Sequence, residues 1–248
     1  MKQESYTPGH SKRSRQFMAR RSAQNHAHFI LPYIQDGMKL LDCGCGPGTI
    51  SRDLALRIPN GSVTGLDGSE KQIAEARRMH KEVHNLNFQT GNVYELPFEN
   101  GVIDSVFAHA LFEHLSNPNA ALSEIYRVLK PGGILGICSP DFAAFVLSPT
   151  SDALENALGY YRNLQESNGG NTLAGRCLLN WVNEFPLNII STGGRCENYE
   201  DPTSIGEYLA EQLVAHDSNH AATFRTWQSQ SGALFAQMWI YVIARKPL

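Results

Sequence analysis

The chain has 248 residues, 42% of them hydrophobic and 18% charged, with a formal net charge of −3. That length suits one large domain or two small ones, and the apolar share suffices for a core, so a disordered or low-complexity chain is excluded. The acidic balance argues against nucleic-acid binding through a domain-wide positive field, and no window holds the roughly 18 apolar residues of a membrane helix.

The first stretch is basic: Lys2, Lys12, Arg13, Arg15, Arg20 and Arg21 stand against one acid, Glu4. Met1 to Gln16 has no apolar core of a secretory signal. An Arg-rich start suits a transit peptide or a mobile arm leading into a helix. The arm is favoured, because Phe29, Ile30, Leu31 and Ile34 follow at helical spacing, with Pro32 ending or kinking the helix near Leu31. From Met38 the period changes. Residues 39–43 read as a buried strand, closed by Gly44, Gly46, Pro47 and Gly48. A helix is expected over 49–57, a strand over 61–66 ending at Asp67, and a helix over 69–79 with Ser69 as its cap. Strands follow at 87–90 and 102–108. A helix at 118–129 stops at Pro131-Gly132-Gly133, and a strand spans 134–138. This alternation predicts βαβ units, a parallel sheet and an α/β fold. Beyond Pro140 helices are expected over 143–163, 177–185, 203–215 and 220–235, with a closing strand over 238–244.

The five cysteines, Cys43, Cys45, Cys138, Cys177 and Cys196, make an odd count that argues for reduced thiols and a cytoplasmic setting. Cys43 and Cys45 lack a histidine partner at zinc spacing and read as small buried side chains. No metal site is expected, because the His109, Glu113, His114 cluster matches no zinc-protease spacing.

The run Leu40 to Gly48 carries the chemistry. A buried strand turns through glycines into a helix whose first N–H groups have no partner in the helix. Its spacing is G-x-G-x-G, and Thr49 stands where a dinucleotide fingerprint needs its third glycine. Asp67 ends the second strand at the same crevice and can accept from both hydroxyls of a ribose. Asn92 after the third strand can bond an adenine edge, with Val93 packing on the ring.

The ordered motifs LLDCGCGPGTI (40–50), GLDGSEKQIAEAR (65–77), GNVYELPFENGVIDSVFAHALFEHL (91–115) and RVLKPGGIL (127–135) resemble the class I S-adenosylmethionine-dependent methyltransferases, in particular the ubiquinone/menaquinone-type small-molecule group. The resemblance implies a Rossmann-like, doubly wound, mostly parallel seven-stranded sheet with a helical insertion as a lid. The implied organisation is an arm and lead-in helix (1–37), a cofactor-binding core (38–140), a helical substrate-binding insertion (141–200) and closing helices with the last strand (201–248). It further implies that Gly44, Cys45, Gly46 and Gly48 line the methionine part of S-adenosylmethionine. Asp67 and Gly68 would hold the ribose, Asn92 and Val93 the adenine, Arg21 the carboxylate, and His109 and Ala110 would close over the cofactor. His109 or His114 would serve as base where the acceptor arrives protonated.

The leading expectation is methyl transfer to O, N or C of a small apolar or aromatic acceptor by a monomer or homodimer. Phe142, Phe145, Tyr160, Tyr161, Trp181, Phe185 and Tyr199 are candidates for its pocket, with Tyr6 and Phe17 folding over from the arm. The rivals are a protein that binds the cofactor without transferring from it and a nicotinamide-dependent oxidoreductase.

Overall fold

The computed structural model describes residues 4–9 and 11–248. Two short helices lead in, α1 (Lys12–Met18) and α2 (Ala23–His26), followed by a 3₁₀ turn at Leu31–Tyr33. The expected lead-in helix is therefore broken. Ser22 caps α2, and Pro32 sits in the first turn of the 3₁₀ segment, where its missing N–H costs nothing.

The core then alternates as β1 (Lys39–Cys43), α3 (Thr49–Arg57), β2 (Ser62–Asp67), α4 (Glu70–Met79), β3 (Leu86–Thr90) and β4 (Ile103–His109). A 3₁₀ turn at Phe112–His114 leads into α5 (Pro118–Val128) and β5 (Leu129–Ser148). The rest comprises α6 (Asp152–Ser167), α7 (Ala174–Asn183), β6 (Asn188–Tyr199), α8 (Pro202–Leu213), α9 (Ser218–Trp227) and β7 (Leu234–Arg245).

The seven strands form one sheet in the order β3-β2-β1-β4-β5-β7-β6. The first five are mutually parallel, while β7 runs antiparallel to both β5 and β6. One face packs Leu122, Ile125 and Leu178 of α5 and α7, and the other packs Ile30, Leu54 and Ile58. Strands buried on both faces read as continuous apolar runs, which is why β1 and β4 stand out in the sequence. Cys43 of β1 pairs with Leu66 of β2 and Ala108 of β4, so the carboxyl ends of these strands open side by side. Strand order reverses between β1 and β4, and ligands of open α/β sheets bind at such a switch point.

Strands β5 and β7 overshoot the sheet. Their pairing slips between Asp141 and Phe145, then resumes from Phe145 opposite Gln237 to Ser148 opposite Leu234. Helices α6, α8 and α9 pack on this extension around Leu158, Tyr161, Leu209, Phe224, Trp227 and Phe235. The indole Nε1 of Trp227 donates to the Ser148 carbonyl at 2.9 Å. The helical layer thus stands over the carboxyl ends of the core strands.

Three sequence expectations need correction. Residues 143–148 are strand rather than helix, because Phe145, Val146 and Leu147 pair with β7; the helix begins only after Ser151, whose hydroxyl accepts from the Leu154 N–H. The helix expected over 220–235 ends at Trp227, and Gly232 (φ 77°) turns the chain into β7. The stretch 141–200, expected as a helical insertion, also contains β6, whose pairing with β7 is long-range and was not anticipated.

Candidate active site

The glycine turn is built by backbone hydrogen bonds. The N–H groups of Gly44 and Cys45 both donate to the Leu66 carbonyl, at 2.7 and 3.0 Å. Asp67 closes the turn from the next strand: Oδ2 accepts from the Gly46 N–H at 3.0 Å and Oδ1 from the Ser69 N–H at 2.8 Å. A carboxylate oxygen takes more than one donor, so both can also accept from a ligand hydroxyl. Two glycines are required for different reasons. At Gly46 (φ 52°) a Cβ would point into open space, so the backbone itself faces the cavity. At Gly48 (φ 77°) a Cβ would stand 2.4 Å from the Phe88 ring.

Over this turn lies a cavity of about 680 Å³. Arg21, Gly44, Cys45, Gly46, Asp67, Gly68, Asn92, Val93, His109, Ala110 and His114, all expected at the site, line it. Gly48 does not. It caps α3 in the left-handed conformation behind the turn, so its role is to let the backbone fold there. Asn92 Oδ1 accepts from the Tyr94 N–H at 3.0 Å, which leaves its amide N–H groups for a ligand. Ala110 is held at φ 57°, the described non-glycine residue with positive φ, and its N–H donates to the Cys138 carbonyl at 3.0 Å. Such backbone strain costs roughly 1–2 kcal/mol and is often found where a site needs a fixed shape.

Asp42 also lines the cavity and was missed by the sequence reading. Its side chain is buried, and Oδ2 accepts from the Ser51 hydroxyl at 2.5 Å. Burial pushes its carboxyl up to about 7, against that hydrogen bond. The signal was an acid inside an otherwise apolar strand, Leu40-Leu41-Asp42-Cys43, immediately before the glycines. Tyr6, from the arm, lies at the cavity wall edge-on to His114, with ring centroids 4.7 Å apart.

The geometry argues against both expected bases. His109 is buried and stacked on Trp239, with centroids 4.4 Å apart. Its Nδ1 has no hydrogen-bond partner among the described residues, and burial, then Arg21, holds it well below the ordinary imidazole range. His114 is fixed by Gln165. The Gln165 Nε2 lies 2.7 Å from the Glu113 carbonyl, which can only accept, so the amide nitrogen must face it. The same nitrogen lies 2.9 Å from His114 Nδ1, which therefore accepts, leaving the ring proton on Nε2. Burial, then Arg21, pushes His114 down to about 3. Both rings are neutral and weakly basic.

A second, smaller cavity of about 40 Å³ adjoins the first, sharing Tyr6, Arg21, Ala110 and His114 with it. Phe17, Phe142, Phe145, Tyr161 and Tyr199 line it, joining two layers that the sequence keeps far apart. Trp181 and Phe185 do not: they pack against the opposite core, with Trp181 beside Phe112. Tyr160 turns to His220 instead. Arg21 stands between the cavities, its guanidinium 5.6 Å from the Trp239 ring centre.

The first cavity fits S-adenosylmethionine on its own chemistry. Exposed turn backbone lies at its floor, the acids Asp67 and Asp42 offer acceptors for hydroxyls and an ammonium, and Arg21 can meet a carboxylate. Residues 34–187 match the family described as "Methyltransferase domain". An uncharacterized methyltransferase of Schizosaccharomyces pombe is 32% identical over 65% of this chain and 61% of its own length. A cycloartenol-C-24-methyltransferase of Arabidopsis thaliana is 36% identical over 46% of this chain and 35% of its own. Among solved structures, a putative methyltransferase from Bacillus halodurans superposes with a TM-score of 0.66 at 18% identity, covering 87% of this chain and 95% of that one. The chain spans less than two thirds of the length of these two curated relatives. With its fold, its glycine turn and the family match in agreement, the chain belongs to the class I S-adenosylmethionine-dependent methyltransferases, whose cofactor is S-adenosylmethionine.

Proposed function

We infer that this chain transfers a methyl group from S-adenosylmethionine to O, N or C of a small apolar or aromatic acceptor, in a reduced, cytoplasmic setting. The observation that carries this reading is the pair of adjoining cavities, one walled by turn backbone and acids, the other by aromatic rings.

When bound, the cofactor supplies a methyl group already activated on a sulfonium. Asp67 holds the ribose hydroxyls, while Asn92 and Val93 hold the adenine. Gly44, Cys45 and Gly46 line the methionine chain, Arg21 pairs with its carboxylate and Asp42 with its ammonium. The strained Ala110 and the His109 beside it would close the wall of the cofactor cavity. The aromatic rings of the second cavity orient the acceptor and exclude water, so the protein's main contribution is alignment. Cycloartenol methylation by the plant relative supports an apolar acceptor for this chain too.

One observation favours a second reading, a protein that binds the cofactor without transferring from it: the aromatic cavity holds only about 40 Å³. Small-molecule pockets are usually about 300–1,000 Å³. Calorimetric titration with S-adenosylhomocysteine, and separately with NADH, tests the shared premise, with Asp67→Ala as control. Saturable binding of S-adenosylhomocysteine alone, lost in the variant, is expected. A labelled-methyl assay on a panel of acceptors then separates the two readings.

A further inference from the structure

The aromatic cavity contains one carboxylate among its lining residues, Glu113. Glu113 lies in the 3₁₀ turn after β4, is 2% exposed, and is absent from the lining of the cofactor cavity. Its Oε2 accepts from the Ser139 hydroxyl at 2.9 Å. Its Oε1 faces His114 Nε2 at 3.8 Å, beyond hydrogen-bond distance. The Gln165 amide has already placed the proton of His114 on that nitrogen. His114 therefore offers the site no free lone pair, and His109 is packed against Trp239. An acid buried among rings with no cation bonded to it is costly unless it has a task.

We propose that Glu113 is the catalytic base and that the acceptor is a small aromatic or apolar compound bearing a hydroxyl. This rests on the methyltransferase reading above. The acceptor oxygen gives a lone pair to the methyl carbon, the carbon–sulfur bond breaks with its electrons left on sulfur, and the hydroxyl proton moves to the Glu113 carboxylate. A hydroxyl suits the site better than an alkylamine, which arrives as an ammonium. An ammonium acceptor would share the wall with the Arg21 guanidinium, whereas a neutral hydroxyl can stand between rings and donate to the carboxylate. Burial pushes Glu113 up to about 7, which brings it closer to a phenol and leaves a useful ionised fraction at neutral pH. The charged and titratable groups around it are Arg21, His114, Cys138, Tyr6, Tyr161 and Tyr208. His114 and Cys138 stay neutral through that range, while Asp42 in the cofactor cavity is also pushed up to about 7, so Asp42→Asn, which should keep the acid limb, assigns that limb to Glu113.

The test uses the full chain, tritiated-methyl S-adenosylmethionine, and phenols, catechols and naphthols beside matched arylalkylamines, which carry the ammonium. Methylated hydroxyarenes are expected, with kcat falling as pH drops below about 7. Glu113→Gln should lower kcat by about 100-fold or more while S-adenosylhomocysteine affinity stays within about threefold. Glu113→Asp should recover part of the rate. Ser139→Ala, which keeps the acid but removes its hydroxyl partner, should lower kcat by about tenfold, and serves if Glu113→Gln does not fold. Three results would overturn the proposal: no hydroxyarene methylated by a protein that binds S-adenosylhomocysteine, turnover of arylalkylamines only, or Glu113 and Ser139 variants within about threefold of the parent rate. Failure to bind S-adenosylhomocysteine at all would instead remove the methyltransferase reading beneath it.

Discussion

The two cavities are made from different materials. The cofactor side is shaped by backbone: glycines with positive φ, N–H groups bonded to Leu66 and Asp67, and strand ends held in register by parallel pairing. The second cavity is shaped by side chains on helices that pack on the β5–β7 extension and the arm and are tied to the core by Gln165, which bonds the Glu113 carbonyl and His114. Backbone geometry tolerates little change, because the turn at the floor of the cavity is one that few residues can make. A wall of side chains can be repacked without unfolding the sheet. The difference teaches where substitutions should be silent: lid changes should move acceptor recognition and leave cofactor affinity alone.

The largest effect that would break this contrast is at Asp67. Asp67→Ala removes both the proposed ribose acceptor and the group that closes the Gly46 turn. S-adenosylhomocysteine affinity should fall by about 100-fold or more, as expected for loss of charge-assisted hydrogen bonds. Next comes Gly48→Ala, where the added methyl meets the Phe88 ring at 2.4 Å and the left-handed φ is kept. A loss of about 2–4 kcal/mol in chemical denaturation is expected. The matching change at Gly46, where a Cβ meets open space, should cost about 1 kcal/mol in stability yet still weaken the cofactor. Equal destabilisation at the two positions would show that the turn does not divide into a packing glycine and a contact glycine.

Asp42→Asn sharpens the comparison through pH. The folded protein holds this carboxyl at about 7, above its ordinary value of 3.8. A raised acid contributes stability in full below its unfolded pKa and loses that contribution as pH rises through the folded one. Between about pH 4 and 7 the parent should therefore lose on the order of 3 kcal/mol through this group. The amide escapes that loss, so its advantage in denaturant melts without cofactor should grow from pH 5 to pH 8. Its affinity for S-adenosylmethionine should move the opposite way, because the ammonium loses its acid. A variant no more stable at pH 8 than at pH 5, relative to the parent, would mean that the carboxyl is ionised at no cost.

The same contrast explains what the sequence makes legible. Strands β1 and β4 can be read nearly to the residue because strands buried on both faces are apolar runs, and β2 and β3 are marked by the Asp67-Gly68 and Gly91 at their ends. Gly44, Gly46, Asp67 and Asn92 follow from that order of strand, turn and acid, whereas Asp42, inside β1, does not. Strand β6 escapes because its signal lies elsewhere. Ser191 to Tyr199 alternates between half-buried and exposed, holds Gly193 and Gly194, and is a strand only because β7 lies beside it. The outer part of β5 escapes for a similar reason, since Phe145 and Leu147 can equally well face a helical core. Of the aromatic residues offered for the acceptor, composition cannot separate Tyr161, which lines the cavity, from Tyr160, which does not. Adjacent helix positions point about 100° apart, and only the packing of α6 chooses between them.

On the lid, Tyr161→Phe is expected to be mild. Its hydroxyl donates to Gln212 Oε1 at 3.0 Å within the helical layer, so its loss should cost about 1 kcal/mol. Cofactor affinity should be unchanged while the acceptor KM shifts. A parallel fall in S-adenosylhomocysteine affinity would deny the separation of the two cavities.

The smallest expected effect lies at the arm, which joins both halves. The Glu4 carboxylate accepts from the N–H and hydroxyl of Ser116, each at 2.7 Å, and from the Tyr94 hydroxyl, all on the core side. The next residues bond the lid side: Ser5 N–H donates to the Asn168 carbonyl at 3.1 Å, and Asn168 Nδ2 to Thr7 Oγ1 at 3.0 Å. Between these anchors Tyr6 lines both cavities. A cofactor that leaves past Glu4 must break the core-side anchor and can keep the lid-side one. Glu4→Gln keeps the shape but removes the charge that strengthens these hydrogen bonds. Because Glu4 is exposed, water replaces much of what is lost. Stopped-flow displacement of S-adenosylhomocysteine should therefore show release only about threefold faster, with the melting temperature unchanged. Weakening the lid-side anchor with Asn168→Ala should leave that release rate alone if the arm swings with the lid. Equal acceleration by both variants would mean that the arm moves free of either half, and that the division between a backbone-built and a side-chain-built cavity does not extend to how the site opens.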